Sequence, residues 1–270
     1  MSGPRPAPVA LNYVVEGDGP PVVLIHGVGA DLSGWDAVAA LLAGSRKVVW
    51  MDLRGHGKSP PIVAPFALEG FSEDIVAILD REGIARADIV GFSLGGLIAQ
   101  RIAIDHPDRV GKLALLATVA GRTEEERQRV ASRHEIILRE GIAAVTGGAR
   151  DRWFTEEFAA ANPERVETRI RQLVANDVAS YAEAYRIFGS GDLADSLHEI
   201  AHETLVLTGE RDSGSSPRMS RLMHERIRNS RLVILPRLKH SLLVEAPGVI
   251  ADHLIAFLDG APQPSTGSPS

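Results

Sequence analysis

Six short apolar runs recur along the chain without polar alternation: PVVLIHG (21–27), KVVWMDL (47–53), ADIVGF (87–92), KLALLAT (112–118), TLVLTG (204–209) and RLVILP (231–236). A strand that is apolar on both sides must be covered on both faces, which is the situation of parallel strands joined by crossover helices. Helical periodicity fills the intervals, at 35–42, 67–82, 96–105, 219–228 and 248–258. Right-handed crossovers then place helices on both sides of a mostly parallel, doubly wound α/β sheet.

The rhythm breaks once. From 121 to 199 the stretches TEEERQRVASRHEIILRE, TEEFAAANPERVETRIRQLV and ASYAEAYRIFGSG are helical with no strand between them, so an all-helical cap insertion is expected there. The core is accordingly divided into 11–120 and 200–258. The Pro-, Gly- and Ser-rich tails, 1–10 and 259–270, are expected to be disordered. With 270 residues, 44% of them apolar, the chain suffices for one sizeable core.

Charge and composition narrow the function. Lys and Arg number 29 against 35 Asp and Glu, a net charge of −6, which offers no general attraction to nucleic acid or to an anionic membrane. There is no cysteine, so disulfides, thiolate nucleophiles and cysteine-held metals are excluded. The N-terminal stretch lacks the apolar segment of a secretory signal, and no run approaches the ~18 apolar residues of a membrane helix. The expectation is a cytoplasmic protein with a small-molecule partner and neither cofactor nor metal; a homo-oligomer is left open.

Two glycine-rich stretches imitate nucleotide sites. GHGKS (55–59) ends like a P-loop, but Asp52 stands where that motif needs its first glycine. HGVGADLSG (26–34) follows a strand, yet Leu32 takes the place of the third dinucleotide-fold glycine.

Gly91-Phe92-Ser93-Leu94-Gly95 has the G-x-S-x-G spacing of a nucleophile elbow, with a strand run before it and a helical pattern after it. Glycines two before and two after let strand and helix approach closely. The turn raises the hydroxyl above the sheet edge, and the backbone N–H of Leu94 faces the same space. A serine hydroxyl needs a base to take its proton, and that base needs a carboxylate to fix its tautomer. His240, just after the last strand run, and Asp212, after TLVLTG, are placed for those tasks. A second oxyanion donor is expected at Val28, between Gly27 and Gly29. His26 and His56 read as structural histidines that tie their loops by hydrogen bonds.

With these residues in place, the chain resembles α/β-hydrolase-fold proteins from about residue 11 to 258. LIHGVG, DLRGHGKS, GFSLGG, GERD and KHS stand in that family's order, as does Ser93–Asp212–His240. Within the superfamily it is similar to 3-oxoadipate enol-lactonases, through VGFSLGGLIAQRIAIDHPDRV, EGIAAV followed by RWFTEEF, and TLVLTGERDSGSSP. The resemblance implies a serine hydrolase that opens a small lactone or carboxylic ester through an acyl-enzyme, such as 3-oxoadipate enol-lactone or a related carboxylated lactone. The chain departs from those enzymes at Val130, where they carry a tryptophan, and around Asp31.

Specificity is expected in the cap, because the triad accepts any acyl group. Trp153 and Trp35 are the aromatic pocket candidates, and Arg133 and Arg152 are candidates for a bidentate grip on a substrate carboxylate. Carbon–carbon bond hydrolysis or perhydrolysis would use the same triad. A non-enzymatic ligand-binding role on the same fold is disfavoured by the intact catalytic set. Dehalogenase and epoxide-hydrolase relatives place aspartate where Ser93 stands.

Overall fold

All six apolar runs are strands in the computed structural model, which describes residues 7–265. In chain order the elements are β1 (Tyr13–Glu16), β2 (Pro21–Ile25), α1 (Asp36–Leu42), β3 (Lys47–Met51), α2 (Leu68–Arg81), β4 (Ala87–Phe92), α3 (Leu94–Asp105) and β5 (Val110–Leu116). The cap helices follow: α4 (Glu124–Glu140), α5 (Thr146–Trp153), α6 (Glu156–Ala161), α7 (Pro163–Val174) and α8 (Val178–Ser190). The core then resumes with β6 (Thr204–Gly209), α9 (Pro217–Arg226), β7 (Ser230–Leu235), α10 (Leu242–Glu245) and α11 (Pro247–Leu258). The sheet order is β1-β3-β2-β4-β5-β6-β7, with β1 antiparallel to β3 and every other pairing parallel.

The strands are apolar on both sides because each side has its own core. Val23 and Ile25 of β2 pack with Phe71, Ile75 and Leu79 of α2 and Leu97 and Ile98 of α3. Val22 and Leu24, their neighbours in the chain, belong to the opposite layer, with Val38 and Leu42 of α1 and Ile250, Leu254 and Phe257 of α11. Period-two alternation therefore sorts residues between two layers rather than between core and water. Each fully buried aliphatic side chain contributes about 1.5–3 kcal/mol relative to exposure.

Two differences from the sequence reading have plain causes. The strand β1, unexpected from YVVE, is four residues long and only half-buried, too short to stand out as a pattern. It pairs at the sheet edge, Tyr13 opposite Met51. Helix α3 begins at Leu94, two residues before the expected 96, because the connection from β4 is the single residue Ser93.

Residues 121–199 hold only helices and turns. Thr123 and Glu126 form a reciprocal capping box that starts α4. Ile137, Ile142, Val145, Ile170, Leu173, Tyr181 and Tyr185 form a separate apolar cluster within the cap. Of the expected disordered tails, 1–6 and 266–270 lie outside the described residues. The inner ends are held: Val9 N donates to Asp74 at 2.8 Å, and Gln263 Oε1 lies 2.9 Å from His253 Nδ1. Among the described residues, no helix is long and apolar enough to cross a membrane.

Candidate active site

After β2 the chain turns one way, to β3; after β4 it turns the other way, to β5. The crevice at the carboxyl ends of β2 and β4 is thus the topological switch point of the sheet, where ligands bind in open α/β folds. Ser93 closes β4 there. Its φ of 55° and ψ of −115° lie in a region rarely populated by residues other than glycine. The surroundings over-determine this geometry. Ser93 N donates to Leu116 O at 2.9 Å, and Ser93 O accepts from Thr118 Oγ1 at 2.7 Å and from Gly96 N at 3.0 Å. The flanking glycines are required by space: a Cβ on Gly91 would strike the Gly95 carbonyl, and one on Gly95 would strike the carbonyls of Ile25 and His26.

Asp212 and His240 come from the loops after β6 and β7. Asp212 Oδ2 lies 2.6 Å from His240 Nδ1, while its Oδ1 accepts from the backbone N–H groups of Gly214 and Ser215, each at 2.9 Å. The carboxylate is buried, its side chain showing 0% exposure, and all its hydrogen bonding is directed at these three donors. Gly209 permits the approach of the two loops, since a Cβ there would meet the carbonyls of Leu238 and Lys239. His240 also lies against Phe92, ring centroids 5.1 Å apart. Ser93, Asp212 and His240 line one cavity.

The turn after β2 completes the crevice. Ala30 N donates to Gly27 O at 3.2 Å, and Gly29 at the turn's third position has a φ of 68°, the arrangement that favours glycine. Val28 lines the cavity. Its N–H makes no hydrogen bond among the described residues. Leu94 is the first residue of α3, where backbone N–H groups have no partner within the helix. His26 holds the turn: Nδ1 donates to Gly27 O at 2.8 Å, and Nε2 accepts from Leu53 N at 3.0 Å. Burial lowers its pKa from 6.5 to about 4, so it is a neutral strut. His56 packs edge-on to it at 5.1 Å and is lowered to about 3, first by burial and then by His26. The DLRGHGKS turn is organised by Asp52, whose carboxylate accepts from Leu32 N, Lys58 N and Asn12 Nδ2 at 2.7–2.8 Å.

The cavity between crevice and cap has a volume of about 450 Å³, within the usual range for a small-molecule site. Of the expected pocket residues, Arg133, Arg152 and Trp153 line it, as does Val130. Trp35 does not. It is 0% exposed in the layer beneath α1, packed among apolar residues, so its assignment to the pocket is corrected to the core.

Five arginines, Arg122, Arg133, Arg152, Arg165 and Arg169, line the cavity, and none forms an ion pair with a carboxylate among the described residues. Arg133 donates to Tyr185 Oη at 2.8 Å. Arg152 makes no side-chain hydrogen bond there; burial and the neighbouring Arg133 charge lower its pKa. Arg122 donates to the carbonyls of Phe188, Gly189 and Gly191, closing the end of α8. Arg169, which sequence reasoning passed over, donates to Gly29 O at 2.8 Å and lies over the Trp153 ring at 4.6 Å; burial lowers it to about 10. Nothing in ERVETRIRQ distinguishes Arg169 from its solvated neighbours except its position on the apolar side of α7.

Comparison with known proteins agrees with this architecture. Residues 20–173 match the α/β hydrolase fold family. The chain is 30% identical to 3-oxoadipate enol-lactonase 2 of Acinetobacter baylyi, covering 88% of this chain and 89% of the relative. It is 28% identical to the (E)-2-((N-methylformamido)methylene)succinate hydrolase of the same organism, over 93% and 95% of the two chains. The crystal structure of the enol-lactonase from Burkholderia xenovorans LB400 superposes with a TM-score of 0.85 at 28% identity, covering 92% of this chain and 96% of that one. The chain, with its seven-stranded sheet, elbow and helical cap, belongs to the α/β-hydrolase-fold family and is an enzyme of that superfamily.

Proposed function

We propose that the chain is a serine hydrolase that opens a small lactone or carboxylic ester bearing a free carboxylate. Ser93 Oγ attacks the carbonyl carbon while His240 takes its proton. Asp212 holds the imidazole through Nδ1 and stabilises the imidazolium that forms. The N–H groups of Val28 and Leu94 receive the charge that develops on the carbonyl oxygen. His240 returns the proton to the leaving oxygen, and water then resolves the acyl-enzyme by the same route in reverse. The observation that carries this reading is the Asp212–His240 contact of 2.6 Å in the cavity that Ser93 lines on its strained turn.

The carboxylate is argued from the arginines. A protein of net charge −6 concentrates five guanidinium groups, unpaired with acids, around one cavity, where an anionic ligand would supply the missing partner. Relatives named as acting on an enol-lactone and on a succinate derivative support this class. The test is a panel: enol-lactones with and without a carboxylate, homoserine lactones, p-nitrophenyl esters of graded length and a vinylogous diketone, compared by kcat/KM. A carboxylated lactone or ester is expected to lead, and Ser93→Ala to lower kcat by roughly 10⁴- to 10⁶-fold without loss of fold. Preference for the diketone, or a serine-directed phosphonate labelling a residue other than Ser93, would overturn the reading.

A further inference from the structure

The cap does more than roof the cavity. Helices α7 and α8 lie on the turn after β2: a methyl group at Gly29 would come within 2.6 Å of both Leu173 of α7 and Tyr181 of α8. Gln172 Nε2 also donates to Ser33 Oγ at 3.0 Å. At the centre of this contact, Arg169 donates to the Gly29 carbonyl. That carbonyl belongs to the same tight turn as the Val28 N–H, so fixing one peptide plane restricts the other. The Arg169 guanidinium also lies over the Trp153 ring, 4.6 Å from its centroid, and the carbonyl of Trp153 accepts from Ser241 N at 2.9 Å, one residue beyond His240. Lys239 Nζ donates to Asp151 O at 2.8 Å, clasping the other side of His240 to the same cap segment.

We infer that Arg169 and Trp153 form a strut across the cap that holds the oxyanion turn at Val28 in register with the base loop at His240, making Arg169 a positioning residue for catalysis. This inference rests on the serine-hydrolase reading above. A strut of this kind acts on the geometry of the reacting centre whatever the substrate's charge. An arginine that merely bound a substrate carboxylate would act on anionic substrates alone. Displacement of a catalytic group by about 1 Å costs on the order of 100-fold in rate, and loss of one oxyanion donor costs roughly 10²- to 10³-fold.

The experiment uses p-nitrophenyl acetate, a small neutral ester, with the full-length protein. Arg169→Met keeps the stem and removes the donor, the charge and the cation–π contact with Trp153. Its kcat is expected to fall roughly 10- to 100-fold with KM little changed. The Ki of a boronic acid that mimics the tetrahedral intermediate should rise by a similar factor. Arg169→Lys should recover part of the loss, and Trp153→Leu should reproduce a smaller version of it. The double variant should lose less than the product of the two single losses, as coupled residues do. If Arg169→Met does not fold, the lysine and Trp153 variants carry the same readouts. Unchanged kcat on the neutral ester, with the loss confined to KM for an anionic one, would overturn the strut while leaving the proposed hydrolase intact. Independent, multiplying losses at Arg169 and Trp153 would overturn it too. Absence of any wild-type turnover of the neutral ester, together with no phosphonate labelling of Ser93, would remove the hydrolase reading and the strut with it.

Discussion

Asp212 divides its two oxygens between two tasks, and this makes a sharp prediction at the scale of one atom. Oδ1 gathers the Gly214 and Ser215 N–H groups, and Oδ2 faces His240 Nδ1. In Asp212→Asn the amide oxygen is the group that can keep both backbone donors satisfied, which turns the NH₂ group toward the imidazole. His240 would then accept at Nδ1 and carry its proton on Nε2, the wrong tautomer for deprotonating Ser93. The kcat should fall about 10⁴-fold with little change in KM or melting temperature. A loss of less than about tenfold in steady-state kinetics would mean that His240 is not the base. The sequence placed this residue, Ser93 and His240 at one sheet edge because each follows a readable strand run, Ser93 in a turn between strand and helix and the other two just past β6 and β7; the structure brings the three to one cavity. Trp35 was misread because a tryptophan soon after the turn that follows β2 can face either the pocket or the core. Only the packing of α1 against α11 decides that it faces inward.

At the scale of elements, core strands and cap helices were legible to different degrees. Buried parallel strands write themselves as uninterrupted apolar runs, so β2 to β7 could be read nearly residue by residue, whereas β1, half-buried at an edge, left no such trace. The cap helices were visible as helices. Their inward faces were not, because arginine is equally at home on a solvated face and in an anion site. Arg152 provides the cleaner test of the latter, since Arg133 also holds the Tyr185 hydroxyl while Arg152 has no hydrogen-bonded partner to lose among the described residues. Arg152→Ala should lower kcat/KM for a carboxylated lactone roughly 10- to 150-fold, the equivalent of one charge-assisted contact of about 1.5–3 kcal/mol. Hydrolysis of p-nitrophenyl acetate should hardly change. Equal losses on both substrates would assign Arg152 to cap packing. Arg133→Ala should show the anionic effect plus a modest loss of cap stability, which differential scanning calorimetry would register.

At the scale of the whole molecule, the buried histidine pair beneath the turn after β2 predicts a pH-dependent stability. His26 and His56 are buried together, 1% and 2% exposed, and both are lowered by desolvation, from 6.5 to about 4 and about 3. Each is neutral in the folded state at pH 5, while in the unfolded chain each binds protons as the pH drops through about 6.5. The unfolded state therefore takes up more protons between pH 6.5 and about 4, and the fold loses stability as pH falls through that window. A displacement from 6.5 to about 4 corresponds to about 3 kcal/mol for His26 taken alone. The His56 effect is not simply added, because the rings touch and the charge of one opposes protonation of the other. Asp74 and Glu245 act in the opposite sense: burial raises their pKa values, so acid relieves a penalty there and offsets part of the loss. The net expectation is a fall in the urea midpoint from pH 7 to pH 5. His56→Gln, which keeps a donor for the Arg54 carbonyl, should make that fall shallower. Parallel slopes for the wild type and His56→Gln between pH 5 and 7 would show that this histidine pair does not set the acid sensitivity of the fold.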